Sequence, residues 1–555
     1  MTLFITSCLW LALGFQLADC VLELPVFSEP KGHHSGARVR ARQSQGPLEG
    51  DIYYNNYWYP YGGYYIDITI GTPPQRQTVW VSTGSVDLYV DSITAATCNS
   101  SSATPGPCRG GTFNSSASGT YEEVAESPAF EVSYADGNEI IGPIGSDVLG
   151  IGQLQLEDVQ FGVGEEINVN EEYPLAMMGL GYSTLSSVNR TGLSRPYQNV
   201  PEVMVRANLS ESRLFSIALG RPDTSGSLVF GGLDTTRYVG ELATIDLMNN
   251  TRPYIGIDGK NTTAPRRFIT TITGAEFTAG NNTTTLWSSD AEGMAAWNLD
   301  DPAVAVIPST ASQTMLLPYG HYAAYILPYF PFLTPNGSCI CDYADTEDKI
   351  TFTFGGKIKI EVGVKDLIKQ PVDLAAGRPL QYANGSDQCT FMITPDFRED
   401  EDEKTWYSLG GPVLESMFMV FDMDNNQISI AQAATEVAET SNIIAIEAGP
   451  GQVARVAASL RPSATPSGGV PTPSGTHTPV PDPTPVNTGA IAGGVVGGVG
   501  GLALIGAAAY FLVRRKRKTE MRPMSEVQND FGQDFDGTYV QQPKNPRYNG
   551  DPTLE

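Results

Sequence analysis

Histidine is scarce in this chain, and its scarcity excludes several kinds of hydrolase. The 555 residues include 4 histidines and no HExxH motif; the histidines are His33, His34, His321 and His477. An HExxH zinc hydrolase needs two histidines one helical turn apart, so zinc-dependent hydrolysis is excluded and we expect no metal and no cofactor. A serine nucleophile needs an imidazole base beside it. Such a site would depend on His321, which is more simply interpreted as a packed or surface residue.

Basic residues are also few. The chain has 34 Lys and Arg residues against 61 Asp and Glu residues, a net charge of −27 at pH 7. A protein that binds nucleic acid or an anionic membrane surface needs a basic face that displaces counterions, so the composition excludes nucleic-acid partners. With 41% hydrophobic residues, a chain of this length can bury a large core in two lobes or domains.

Long apolar runs lie near the two ends. Residues 3–17 are apolar and precede Ala18-Asp19-Cys20. In this tripeptide, small residues stand at the −3 and −1 positions of a signal-peptidase cut before Val21. This pattern predicts a signal peptide over residues 1–20; the alternative is a buried N-terminal helix. Residues 489–513 carry no charge and are long enough to span a bilayer as one helix.

The residues after this second run fix the expected orientation. Arg514-Arg515-Lys516-Arg517-Lys518 follows immediately, and basic residues mark the cytoplasmic side. A GPI signal would instead place its apolar run at the extreme C-terminus. We therefore expect a single-pass type I protein of the plasma membrane with an extracellular ectodomain. Its cytoplasmic tail, residues 514–555, is polar and expected to be disordered.

Residues 441–488 are predicted to be a disordered stalk between the ectodomain and the membrane. Their composition is rich in Pro, Ser and Thr, above all over 461–488, and suits an O-glycosylated spacer. Ten N-x-S/T sequons precede the membrane span, which predicts an N-glycosylated ectodomain. They lie at Asn99, Asn114, Asn189, Asn208, Asn249, Asn261, Asn281, Asn282, Asn336 and Asn384.

Five cysteines remain after removal of the signal peptide. A secreted chain favours disulfides, and Cys98 and Cys108 close a short loop. We expect Cys389 to pair with Cys341, which leaves Cys339 as the odd cysteine. No histidine lies near them in the sequence, so a metal site is not indicated.

The region 60–435 predicts a mainly β fold, because runs of Val, Ile, Thr, Tyr and Phe alternate and are broken by Gly, Asn-Gly and Asp-Gly. Five stretches of it, in this order, resemble the pepsin-like aspartic endopeptidases, and the secreted and membrane-anchored fungal members most of all. They are YYIDITIGTPPQ (64–75), VWVSTGSVDLYV (79–90), EVSYADGNEIIGPIGSDVLGIG (131–152), GSLVFGGLDTTRYVG (226–240) and FMVFDMDNNQISIAQA (418–433). The resemblance implies a bilobal fold with an N-terminal lobe over 51–245 and a C-terminal lobe over 246–440.

The resemblance also implies an active site, and here the chain departs from the family. The family uses two carboxylates that share one proton, each on a D-T-G or D-S-G turn. In this sequence Ser82 stands at the first position. In the stretch AVAVIPSTASQTMLLP (303–318), Pro308 falls nearest the second. No Asp or Glu occurs between residues 302 and 341 or between 68 and 86, so no catalytic residue is assigned and both positions are degenerate.

The rest of the cleft keeps the family's residue types. The resemblance assigns Thr83, Gly84, Ser85, Tyr89 and Ser309 to the cleft and Tyr134 to the flap that covers it. Asp87, the nearest acid, falls in the strand after the first turn and is expected to point away from the cleft. An extended peptide or a cell-wall ligand is therefore the expected partner; the oligomeric state is not indicated.

We thus expect a pseudo-enzyme whose cleft binds without cleaving, and two other functions stay open. One is an active endopeptidase with a displaced acid pair, and the other is a surface structural or sensor protein with an unused cleft. Residues 21–50 resemble a short pro-segment, in which Arg38, Arg40 and Arg42 would occupy an acidic cleft. A charged linker explains the same segment equally well.

Overall fold

A computed structural model describes residues 22–24, 27–28 and 63–460, apart from residues 100–107, 109, 135–137, 153, 169–175, 188–196, 220–225, 249, 256–260, 290–302, 335–336, 374–377, 397–405 and 437–440. The predicted signal peptide, membrane span and cytoplasmic tail lie outside these residues, as does most of the pro-like segment. Among the residues that the structure describes, no helix is long and apolar enough to cross a membrane.

The strands are numbered in chain order. Those of the first half are β1 Leu22–Leu24, β2 Phe27–Ser28, β3 Tyr64–Ile70, β4 Gln75–Ser82, β5 Leu88–Asp91, β6 Glu122–Ser133, β7 Glu139–Ile151, β8 Leu154–Gly164, β9 Glu166–Asn168, β10 Met177–Gly179, β11 Leu214–Ala218, β12 Ser227–Phe230, β13 Gly232–Asp234, β14 Tyr238–Asp246, β15 Thr251–Ile255 and β16 Asn261–Pro265. Those of the second half are β17 Thr270–Ala279, β18 Asn282–Ser288, β19 Val304–Pro308, β20 Met315–Pro318, β21 Ser338–Ile340, β22 Lys349–Phe354, β23 Ile358–Gly363, β24 Ile368–Lys369, β25 Val372–Asp373, β26 Arg378–Pro379, β27 Gln388–Phe391, β28 Ile393–Asp396, β29 Tyr407–Leu409, β30 Met417–Asp422, β31 Gln427–Ala433 and β32 Ile443–Ala445.

The helices of the described residues are short: α1 Val200–Arg206, α2 Tyr319–His321, α3 Gly411–Leu414 and α4 Gln452–Leu460. Helix α1 begins with a capping box. The side chain of Asn199 accepts from the backbone N–H of Glu202, and the Glu202 carboxylate accepts from the backbone N–H of Asn199. The predicted mainly β fold is confirmed.

The N-terminal lobe is a sheet with the order β2-β3-β4-β10-β5-β8-β7-β6. Alternation along β4 gives this sheet two apolar faces, because successive side chains point to opposite sides. Val79 and Val81 join the main core cluster, whereas Trp80 joins a second cluster with Tyr65. Strands β6 and β7 form a long hairpin in which Ser133 pairs with Glu139, and this hairpin carries the predicted flap.

The C-terminal lobe is built around a second sheet, β23-β22-β17-β19-β29, with β18 paired to β17. The pair β20-β28 and the small sheet β21-β27-β24 pack with it. A third sheet joins the two halves of the chain, in the order β1-β12-β11-β30-β31-β14. The predicted bilobal arrangement is confirmed, and strand β1, from the pro-like segment, is an edge strand of this shared sheet.

The folded region extends further towards the C-terminus than composition predicts. Strand β32 pairs with β13, with Leu233 opposite Ile444. In helix α4 the side chain of Val453 is buried in a cluster with Leu233 and Phe418. Residues 443–460 therefore belong to the folded body and not to the stalk predicted from residue 441.

Two disulfides join the expected cysteines, Cys98 to Cys108 and Cys341 to Cys389, and Cys339 is a buried free thiol. Of the predicted glycosylation sites, Asn208, Asn281, Asn282 and Asn384 are exposed and Asn114 is half-buried. The side chains of Asn99, Asn189, Asn249, Asn261 and Asn336 lie outside the described residues.

Candidate active-site cleft

The first loop of the candidate site follows β4, which ends at Ser82. The neighbouring strand β10 runs parallel to β4, with Gly179 opposite Ser82. A side chain at Gly179 would lie 2.3 Å from the backbone of Val86, so the loop can pass only because this residue is glycine. Ser82 is buried, and its Oγ accepts a hydrogen bond from the backbone N–H of Ser85 at 2.9 Å.

The second loop follows β19 and repeats this arrangement. Strand β29 runs parallel to β19, with Leu409 opposite Pro308, and the backbone N–H of Ser309 donates to the carbonyl of Leu409 at 3.0 Å. A side chain at Gly410 would lie 2.2 Å from the carbonyl oxygen of Thr314. Beside each loop, therefore, a parallel strand ends at or just before a glycine whose backbone lies close to the backbone of that loop.

Reciprocal threonine hydrogen bonds join the two loops. Thr83 Oγ1 donates to the carbonyl of Pro308 at 2.7 Å and accepts from the backbone N–H of Thr310 at 3.2 Å. Thr310 Oγ1 donates to the carbonyl of Val81 at 2.6 Å and accepts from the backbone N–H of Thr83 at 3.2 Å. Each hydroxyl therefore spans one residue of the opposite loop.

The residue that Thr83 spans is Ser309, and the residue that Thr310 spans is Ser82. The bonds thus pair Ser82 with Ser309, whereas the sequence placed Pro308 at the second position. A second pair of bonds gives the same register: the Gly181 N–H donates to the carbonyl of Ser85, and the Gly411 N–H donates to that of Ser312, each at 2.8 Å. Pro308 is the last residue of β19, so the position facing Ser82 is one residue further on.

The chemistry at this pair of positions is that of two neutral hydroxyls. Ser309 is 3% exposed, and its Oγ has no hydrogen-bond partner among the described residues. The carboxylate of Asp87 is held elsewhere: it accepts from the Ser186 hydroxyl at 2.6 Å and from the backbone N–H of Ser187 at 3.1 Å. The nearest acid in sequence is thus committed to bonds outside the two loops.

The flap side chain lies over an apolar cluster at one side of the loops. Tyr134 packs against the cluster that contains Trp80, Tyr89 and Met177, and its hydroxyl lies 3.7 Å from the sulfur of Met177. Ala311, from the second loop, packs against the same cluster. The predicted flap residue and both loops therefore adjoin one surface. The hairpin residues 135–137 are outside the described part.

Sequence reasoning missed one cation beside the site. Arg267 is 5% exposed, and its Nη1 donates to the carbonyl of Gly84 in the first loop at 3.3 Å. Its guanidinium also lies 5.7 Å from the ring centroid of Trp406, the residue before β29. Nothing in the local pattern of Arg266-Arg267 signals this contact, which joins residues 183 positions apart.

His321 lies among aromatic rings, 6.2 Å from Trp287 and 5.6 Å from Tyr325 between ring centroids. Because Ser309 Oγ has no partner in the described residues, no base activates it. Within the same described ranges, no group of three or more His, Cys, Asp or Glu residues could hold a metal ion.

Comparison with known proteins agrees with this bilobal fold and its paired loops. Residues 63–433 match the family model for eukaryotic aspartyl proteases, and the chain belongs to this pepsin-like family.

Its relatives include fungal proteins. The chain is 31% identical over 396 residues to the "Probable aspartic-type endopeptidase OPSB" of Arthroderma benhamiae. The aligned residues cover 70% of this chain and 72% of the relative. It is 30% identical over 374 residues to the "Probable aspartic-type endopeptidase opsB" of Aspergillus oryzae, an alignment that covers 66% of this chain and 68% of the relative. "Secreted aspartic protease 4" of Candida albicans is 26% identical over 388 residues, an alignment that covers 69% of this chain and 79% of the relative.

Proposed function

We propose that this chain is a cell-surface member of the aspartyl protease family that binds extended peptides or wall ligands in its cleft and does not hydrolyse them. The observation that carries the proposal is the pairing of Ser82 with Ser309 by the reciprocal threonine bonds. Two hydroxyls occupy the positions at which the family's mechanism requires two acids.

The mechanism fails chemically with these two side chains. In the family, one carboxylate takes a proton from a bound water while the other, protonated, polarises the substrate carbonyl. A serine hydroxyl does not ionise in the acidic range where such a pair works, and among the described residues no imidazole is hydrogen-bonded to Ser309 to take its proton. Neither a shared proton nor an activated serine is available.

The features that favour binding are those that do not depend on the acids. The loops are held in register by buried hydrogen bonds, and the flap tyrosine packs beside them. An extended chain can bind in such a groove through main-chain hydrogen bonds, with alternate side chains in pockets. These interactions need no charge on the loops.

The test is digestion of a peptide library by the purified ectodomain between about pH 3 and 7, the range in which a shared-proton pair works. We expect no cleavage above background. A matched pair of variants then asks whether the missing acids are the sole defect. S82D/S309D places a carboxylate at each paired position and should gain acid-dependent cleavage, whereas S82D/P308D should not.

The outcomes separate the alternatives. Cleavage by the wild-type ectodomain that survives repurification would overturn the proposal: if it persists in S82A/S309A, a displaced acid pair acts elsewhere, and if it disappears, the serines themselves act. A folded S82D/S309D variant that binds peptide but remains inactive would mean that the cleft has lost more than its acids. Absence of any peptide binding by the wild type would favour a structural or sensor role.

We also propose a single-pass type I location in the plasma membrane, supported by the apolar run 489–513, the basic residues after it and the sequons before it. Protease added to intact cells should remove the ectodomain and leave an epitope tag placed after Glu555 protected and cell-bound. A tag that antibodies reach on unpermeabilised cells would contradict this topology.

A further inference from the structure

Three cysteines meet in the small sheet of the C-terminal lobe. Cys339 on β21 stands directly opposite Cys389 on β27. Cys389 is disulfide-bonded to Cys341, two residues beyond Cys339, with a Cα–Cα distance of 5.0 Å. Cys339 itself is a free thiol and 3% exposed. A free thiol is thus in register with one sulfur of a disulfide.

The strand geometry brings Cys339 within disulfide reach of Cys389. The Phe391 N–H donates to the carbonyl of Gly337, and the Cys341 N–H donates to that of Asp387. Because hydrogen-bonded pairs recur at every second residue of an antiparallel ladder, Cys339 and Cys389 form such a pair, with Cα atoms about 5.5 Å apart. Disulfides span Cα separations of about 4.4 to 6.8 Å.

We propose that Cys339 is the nucleophile of an internal thiol–disulfide exchange. The Cys339 thiolate attacks Sγ of Cys389, the Cys341–Cys389 bond breaks as the Cys339–Cys389 bond forms, and Cys341 leaves as a thiolate. Cys341 then takes up a proton equivalent to the one that Cys339 lost. One disulfide and one thiol exist before and after, so no oxidant or reductant is needed.

The exchange moves the free thiol from the interior to the surface. Cys339 is buried, whereas Cys341 is partly exposed and lies beside Ile340 and Tyr343, which are 36% and 40% exposed. The exchanged form therefore presents a thiol that soluble disulfides and alkylating reagents can reach. Cys341 becomes a modification site although it is disulfide-bonded in the structure.

The surroundings of Cys339 make the exchange slow and dependent on pH. Burial raises the pKa of the Cys339 thiol to about 11, and only the thiolate attacks a disulfide. Burial also raises the pKa of Tyr322 and of Tyr382, and the charge of the Cys339 thiolate raises both further. Both tyrosines are therefore close enough to Cys339 to interact with it. Below the thiol pKa, the exchange rate should rise about tenfold for each pH unit.

The test uses the full chain, purified without reductant and exposed to iodoacetamide under native conditions at about pH 6.5, 7.5 and 8.5. Peptide mapping without reduction then locates the label. We expect carbamidomethyl label on Cys341 together with a Cys339–Cys389 disulfide, formed faster at higher pH. The Cys98–Cys108 disulfide serves as the internal standard. Label on Cys339 with Cys341–Cys389 intact would overturn the proposal, as would a native chain that stays unlabelled at the highest pH while the denatured chain is labelled.

Two variants supply an independent readout. C339S should keep the Cys341–Cys389 disulfide and take no label in the native state, because the nucleophile is gone. C341S should contain a Cys339–Cys389 disulfide in the peptide map. A folded C341S protein with two free thiols would show that Cys339 cannot reach Cys389 and would contradict the proposal.

Discussion

Thr83 and Thr310 each bond the peptide groups on both sides of the serine in the opposite loop. All four bonds are buried, and they join residues more than 220 positions apart in sequence. In an enzyme such a frame would hold two acids at a fixed separation. Here the same bonds surround two serines, so their effect is to hold the two loops together.

This relationship predicts a large stability cost for removal of one hydroxyl. T83V leaves the carbonyl of Pro308 and the N–H of Thr310 buried without their partner, and each unsatisfied buried group costs about 1 to 3 kcal/mol. We expect urea unfolding of the protein to show a loss of about 2 to 6 kcal/mol. T310V should cost a similar amount, because its bonds mirror those of Thr83.

T83S is the matched control, because it keeps the hydroxyl and removes one methyl group. Its loss should be well below that of T83V. Equal losses for T83S and T83V would mean that packing of the methyl group, and not the hydrogen bonds, stabilises the junction.

A second prediction concerns Asp91, at the end of β5. The residue is fully buried, and neither carboxylate oxygen has a hydrogen-bond partner among the described residues. Burial raises the pKa of Asp91 from 3.8 to about 7. The unfolded chain therefore releases this proton at lower pH than the folded chain does. The contribution of Asp91 to stability is complete below about pH 4 and is lost as the pH rises to about 7, by about 4 kcal/mol in total.

D91N tests this contribution, because an amide of the same shape stays neutral at every pH. Urea unfolding of both proteins at about pH 3 and pH 7.5 isolates the group, since at the lower pH Asp91 is protonated in the folded and the unfolded chain and the two proteins carry the same charge. The variant should gain stability over the wild type as the pH rises. A constant difference between the proteins across this range would show that Asp91 does not titrate in the folded state near neutral pH.

A third prediction concerns a buried ion pair and hydrogen bond that hold strand β3 to the C-terminal half of the chain. The Tyr64 hydroxyl donates to Glu415 Oε1 at 2.7 Å, and Lys369 Nζ lies 3.1 Å from Oε2 of the same carboxylate. Y64F removes one bond to a charged group, a loss of about 1.5 to 3 kcal/mol. K369M leaves the carboxylate buried without its cation and should cost about 3 to 5 kcal/mol. Urea unfolding that ranks Y64F as the more damaging change would contradict this account.

Local patterns predicted the fold and the first loop well. Alternating residues such as Val79, Trp80 and Val81 define the sheet faces, and the intact Thr83-Gly84-Ser85 turn fixes the register of Ser82. The second loop reads Ser309-Thr310-Ala311-Ser312. Because the glycine of the family turn is absent, the sequence leaves the register open by one residue, and the threonine bonds and the matching backbone bonds of Gly181 and Gly411 resolve it.

Features that depend on contacts between distant residues had no local signal. Arg267 reaches Gly84 from the other lobe, and no spacing in the sequence relates them. Strand β32 has three residues, too few for a periodic pattern. Its place follows from pairing with β13, which a single sequence does not encode locally.

The last prediction tests the two serines with a statine-type peptide and its deoxy analogue, which lacks one hydroxyl. In an active member of the family, this hydroxyl lies between the two carboxylates and mimics the tetrahedral intermediate. Here Ser82 Oγ already accepts from Ser85 at 2.9 Å, and Ser309 adds only a second neutral hydroxyl. We therefore expect calorimetry to show weak binding of both peptides, within about tenfold of each other, or 1.4 kcal/mol.

The S82D/S309D variant is the positive control for this comparison, since its acids restore the partner of the statine hydroxyl and should favour the statine-type peptide by more than tenfold at acidic pH. A preference of that size in the wild type would reveal an acid pair elsewhere in the cleft. It would contradict the assignment of Ser82 and Ser309 to the positions of the family's two acids. Equal, measurable binding of the two peptides to the wild type and a clear preference in the variant would together locate the loss of catalysis at these two side chains.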